Sequence, residues 1–186
     1  MEVRAFLALV VPFIILFYLA VLLGTRPSKS ALLASLLGGL VMGLVNLLVD
    51  IAAYYAHWWH YTINGLILHV PLPFYITPVL VYGSIGYLLI WRFWRGRLHW
   101  LSLLFLIGIP AFCIVRDLGG GLSGSSYQVW QNPLAASIVT ILMWVVAFYA
   151  GYLLFRLLTP TREQVEEAEH DEDKARKNGH VEAKMR

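Results

Sequence analysis

Between residues 3 and 162 the chain contains just two carboxylates, Asp50 and Asp117, so any acid–base chemistry in that long stretch depends on them. Asp50 lies in NLLVDIAAYYAHWWHY, Asn46 to Tyr61, where an acid, an amide, tyrosines and two histidines follow an otherwise apolar run. At roughly 100° per residue, Asn46, Asp50, Tyr54, His57 and Tyr61 fall on one helix face, with His60 at its margin. Gly39 and Gly43 extend that face backwards, so the stripe passes from small residues that admit another helix to polar residues that need a partner or water.

Three chemistries are open to this set. Asp50 next to hydrocarbon is a proton donor or acceptor, a general acid oriented by Asn46, or else it is a structural hydrogen-bonding group at the membrane edge. His57 and His60, at i and i+3, can share a metal ion if Asp50, His69 or Asp117 supplies a third ligand; otherwise they are interfacial histidines among tryptophans. No third ligand is fixed, and no metal is assigned. Arg116 and Asp117 form either a partner pair for Asp50 or an interfacial ion pair marking a helix end. The glycine run after them lacks the GK[ST] of a phosphate loop, the lone Cys113 belongs to no CxxC pair, and no cofactor is assigned.

The elements that must position these groups read as membrane helices. The 186 residues are 59% hydrophobic and 13% charged, more apolar surface than a soluble domain of this size can hide. The net charge of +3 sits on bases beside apolar runs, which indicates membrane topology rather than nucleic acid. Five spans are expected. The first is 5–24, retained rather than cleaved as a signal peptide and kinked at most by Pro12. The second runs from Ala31, capped by Ser30, towards Trp59. The third covers Phe74 to Trp91, with Tyr75, Pro78, Tyr82 and Gly86 on one face. The fourth is Leu98 to Val115, closed by Arg116 and Asp117, and the fifth is Pro133 to Leu158. Pro71 and Pro73 imply an interfacial loop or re-entrant turn before the third span. The Gly/Ser-rich stretch LGGGLSGSSYQVWQN reads as a loop covering one face.

The expected fold is thus an all-α polytopic transmembrane bundle over 1–158 with a charged, disordered cytoplasmic tail over 159–186. Alternate loops carry Arg26 and Lys29, then Arg92, Arg95 and Arg97, then Arg156 and Arg162, which puts the N-terminus outside and the C-terminus in the cytoplasm. That topology brings His57, His60 and His69 to the same extracytoplasmic side as Arg116, Asp117, Tyr127 and Trp130, near Asp50 and Tyr61. A substrate pocket is expected there, lined also by Asn46, Tyr54 and Tyr82. Aromatic faces beside a carboxylic acid suit a greasy molecule with developing positive charge.

Asp50, Ala53, Trp59 and Tyr61, followed by VPLPF from Val70 to Phe74, resemble a pattern in the small membrane proteins of carotenoid biosynthesis, the lycopene cyclase domain and carotenoid hydratase-like group. The resemblance covers about 25 residues, and Asp117 with Tyr127 and Trp130 looks like a second copy at different spacing. It implies a protein of few helices acting on a long isoprenoid within the bilayer. Lycopene cyclase domains carry a proline–glutamate motif after the turn, whereas the membrane domain here has no glutamate between Glu2 and Glu163. Under the resemblance, Asp50 or Asp117 must supply the acid. The competing expectation is a non-catalytic module, a transporter substrate-binding subunit or an assembly partner. The expected partners are membrane lipids, a hydrophobic small molecule, and a second helix or a second copy packed on Gly39 and Gly43.

Overall fold

In the structure, a computed structural model that describes residues 3–94, 97–124 and 127–159, five helices are long and apolar enough to cross a membrane. They are α1 (Val3–Thr25), α2 (Lys29–Tyr55), α3 (Leu72–Phe93), α4 (His99–Ser123) and α5 (Pro133–Leu158). Most of the charged tail and Arg95 lie outside the described residues.

Helix ends follow local chemistry. Arg26 leaves α1 in the left-handed conformation, its N–H bonded to the Leu22 carbonyl at 2.9 Å. Ser28, not Ser30, caps α2: its Oγ accepts from the Ala31 N–H at 3.2 Å, while Ser30 lies inside the first turn with its hydroxyl 3.0 Å from that of Ser28. Asn132 caps α5 in the same way, and Pro133 occupies the first turn, where its missing N–H costs nothing. Pro78 lies within a wide π-type segment of α3, Thr77–Ile85, and Pro12 follows one in α1, Phe6–Val10. Each such turn shifts the hydrogen-bond register without ending the helix.

Two elements depart from the sequence expectation. α2 stops at Tyr55, four residues before Trp59, because His57 turns the chain through a left-handed conformation at φ 56°. The chain then forms strand β1 (Trp59–Tyr61), which pairs antiparallel with β2 (Gln128–Trp130), so the bundle is not purely helical. Conversely, Arg116 and Asp117 do not end α4, which continues through the three glycines to Ser123. Glycine disfavours a helix by only about 1 kcal/mol per residue, a cost that packing offsets. Gly121 shows why the residue is needed: a Cβ there would overlap the Trp130 indole of β2.

The centre of the bundle is the contact of α2 with α3 and α5. The Gly38 and Gly151 backbones touch, and Gly39 lies against the Val79 carbonyl and Gly83 of α3. The close approach expected at Gly39 and Gly43 is made within the chain, where both glycines are buried against α3. Ser35 and Ser84 join α2 to α3 at 2.8 Å, and Tyr18 of α1 reaches Ser84 at 3.1 Å. Tyr87 Oη donates to the Phe148 carbonyl at 2.9 Å, tying α3 to α5 around a buried cluster that includes Met42, Cys113 and Phe155. Most of the large apolar side chains of α1, such as Phe13, Leu16 and Leu23, face outward. Lipid is the solvent such a surface requires.

Candidate functional site

At the end of the bundle where α2 and α4 finish and α3 and α5 begin, the helices part around a cavity of about 460 Å³. That volume is within the range of small-molecule sites. Asp50 stands at its wall, buried at 7% exposure, and three donors converge on its carboxylate. Trp59 Nε1 donates to Oδ1 at 3.0 Å; Tyr61 Oη and Tyr75 Oη donate to Oδ2 at 2.9 and 2.5 Å. Two of these donors come from β1 and one from the first turn of α3, so the early end of α2 and the strand pairing exist in register with the acid. Asn46 does not orient Asp50 as expected. Its amide nitrogen donates to the Met42 carbonyl at 2.9 Å in its own helix.

Across the cavity, Asp117 accepts from Arg116 Nε at 2.7 Å and from Trp144 Nε1 at 2.7 Å. Arg116 Nη1 donates to Tyr82 Oη at 2.7 Å, and the guanidinium lies 5.4 and 5.5 Å from the centroids of the Tyr82 and Trp144 rings. Arg116 thus pairs with Asp117 rather than with Asp50, and the two acids face one space from opposite helices. Tyr127 and Gln128 bring β2 to the rim, and Thr62 donates to the Tyr127 carbonyl through both its N–H and its hydroxyl. Phe6 of α1 packs on Phe74 with ring centroids 4.2 Å apart, closing the apolar side. Burial, and then the negative charge of Asp50, push the Tyr61 phenol well above its ordinary range, which keeps it a hydrogen-bond donor. Burial also raises the Tyr127 phenol, with Arg116 opposing.

Of the residues expected in the pocket, Asn46, Asp50, Tyr61, Tyr82, Arg116, Asp117 and Tyr127 line the cavity. Tyr54, His57 and Trp130 do not. Tyr54 stacks flat on His69 with centroids 3.8 Å apart, and His57 is exposed at the left-handed turn. His57 lies beyond the actual end of α2, whereas Tyr54 lies in its last turn and turns to His69 instead of the cavity. Trp130 packs over Gly121 and against the Trp59, Ala53 and Ala136 cluster, supporting the strand pair from outside. The i, i+3 geometry of His57 and His60 is lost with the helix. Among the described residues no three His, Cys, Asp or Glu side chains converge.

Sequence reasoning leaves Trp59, Tyr75, Trp144 and Thr140 outside the site. Tyr75 had a signal, since it shares a helix face with Tyr82. Trp59 reads as one more belt aromatic, and Trp144 and Thr140 sit in an unbroken apolar run with nothing to mark them.

Fold and site together define a helical membrane protein with a ligand-sized, acid-bearing cavity at one end of its bundle. The chain matches no family model, no curated protein and no solved structure.

Proposed function

We propose that the cavity binds a lipophilic small molecule of isoprenoid type in the outer half of the membrane domain, with Asp50 as the group that exchanges a proton with it. The observation that carries this reading is the buried Asp50 carboxylate at the wall of a cavity otherwise lined largely by aromatic and apolar side chains. Tyr61 and Tyr75 supply the hydrogen bonds that hold the acid in place. The short carotenoid-biosynthesis resemblance supports an isoprenoid, and the absence of a nearby glutamate assigns the acid role to Asp50, with Asp117 held by Arg116 and Trp144. The competing reading, a polar stripe that docks a partner helix, is weakened because Asn46 and Asp50 are already covered within the chain.

Mass spectrometry of lipids copurified with the full chain tests this. An isoprenoid-type lipid is expected with the wild type and is expected to be depleted, or replaced by a different species, in Asp50→Asn. An identical lipid profile in both proteins would sink the reading.

The same proposal places the protein in the cell membrane with the cavity facing outward and the tail in the cytoplasm, on the strength of the bases at Arg26, Lys29, Arg92, Arg97 and Arg156. A cysteine introduced into the tail is expected to react with an impermeant maleimide only after lysis. Labelling in intact cells would reverse the orientation.

A further inference from the structure

We infer that the cavity selects a ligand whose polar end is positively charged, a protonated amine or quaternary ammonium on an apolar chain, and rejects one ending in phosphate. The inference rests on the reading of the cavity as a ligand site and adds the sign of the charge.

At full charge the lining carries two carboxylates, Asp50 and Asp117, against one guanidinium, Arg116. The guanidinium is already engaged, through Nε and Nη2 to Asp117 and through Nη1 to Tyr82. An incoming phosphate would meet no unengaged cation among the described lining residues and two negative charges. A cation meets the opposite situation. The three donors on Asp50 are all neutral, so among the described residues its charge is bonded to no positive counterpart. The lining includes tyrosine, phenylalanine and tryptophan rings, a residue class whose π-systems attract cations.

A second observation points to a ligand independently of the charge count. Asn46 is 4% exposed and Thr140 2% exposed, yet both line the cavity. The Asn46 amide oxygen and the Thr140 hydroxyl have no hydrogen-bond partner among the described residues. Both residues line the cavity, so these atoms are open to whatever fills it. Two unused acceptors beside a carboxylate form a suitable environment for the N–H bonds of an ammonium group.

The test uses the full chain in a non-ionic maltoside detergent and three probes with the same dodecyl chain: trimethylammonium, alcohol and phosphate. Binding is read by isothermal calorimetry at pH 7.5. The ammonium is expected to bind at least about 10-fold tighter than the alcohol, the scale of a desolvated cation–aromatic contact, and the phosphate more weakly than the alcohol. In Asp50→Asn the ratio of ammonium to alcohol affinity is expected to shrink severalfold, whatever the change in alcohol affinity itself. The wild-type series decides the matter even if that variant fails to fold. Equal affinities for alcohol and ammonium, or tightest binding of the phosphate, overturn the charge selectivity and leave the cavity a lipid site. Binding of none of the three overturns both.

Discussion

Replacing Asp50 with alanine is expected to lower the stability of the detergent-solubilised protein by several kcal/mol, among the largest effects of any single side-chain truncation in the chain. The carboxylate is the shared acceptor for Trp59, Tyr61 and Tyr75, and removing it leaves three largely buried donors without that acceptor. A buried donor left unsatisfied costs roughly 1–3 kcal/mol, and three that relax together cost less than the sum, so a total on the order of 3–5 kcal/mol is reasonable. The loss falls on a particular element. Trp59 and Tyr61 belong to β1, whose register with β2 places Tyr61 opposite Gln128 and Trp59 opposite Trp130. Without its anchor the three-residue ladder has little to hold it, since an isolated pair of short strands is marginal in water. Asp50→Asn keeps one oxygen acceptor but turns an amide N–H₂ towards a tyrosine donor, so it is expected to fall between wild type and alanine. Unfolding midpoints in dodecyl maltoside with increasing SDS should rank wild type, Asn, Ala in descending order. An alanine variant as stable as wild type would mean that the three donors find other partners and that the acid does not organise this end of the bundle.

The sequence made the spans legible because lipid allows one solution for a long apolar run: a helix with every backbone group satisfied internally. All five helices fall where the hydropathy puts them, and the convergence of Asp50, Asp117 and Tyr127 on one end follows from span counting alone. What stayed hidden is non-local. β1 pairs with a strand 67 residues later, and nothing in WHY signals a strand of three residues. His57 at positive φ ends α2 without a glycine, so the periodicity ran past the true end and drew His57 into the site, while Tyr54 stays helical but stacks on His69 of a non-local loop. At α4 the opposite error arose, since three glycines read as a breaker until Trp130 supplies a reason for a residue without a side chain. Trp144 and Thr140 carry no local signal because a polar atom inside an apolar span acquires meaning only from the helix opposite. Asp117 gives Trp144 that meaning.

The glycines also yield the second large effect. Gly39→Ala is expected to destabilise the protein by about 1–3 kcal/mol, the usual cost of overpacking a tight contact. A Cβ at Gly39 would collide with the Val79 carbonyl and lie 3.1 Å from the Ser84 amide nitrogen, both backbone atoms of α3. Neither can rotate away, and Gly83 approaches from the same side, its own Cβ position 2.5 Å from the Gly39 Cα. The helices themselves must separate. The Ser35–Ser84 hydrogen bond at 2.8 Å would lengthen, and Tyr75, carried at the start of α3, would shift relative to Asp50 on α2. Ligand affinity at the cavity should therefore fall with stability although Gly39 does not line the cavity. Gly119 in α4 and Gly24 in α1 are the controls, because a Cβ at either has no atom within 4 Å. Alanine there exchanges glycine for the better helix former and should be neutral or stabilising by up to about 1 kcal/mol. The discriminating measurement is the difference between Gly39→Ala and Gly119→Ala in the same SDS titration. If the two unfold together, α2 and α3 are not locked at backbone contact, and Tyr75 is held to Asp50 by the hydrogen bond alone.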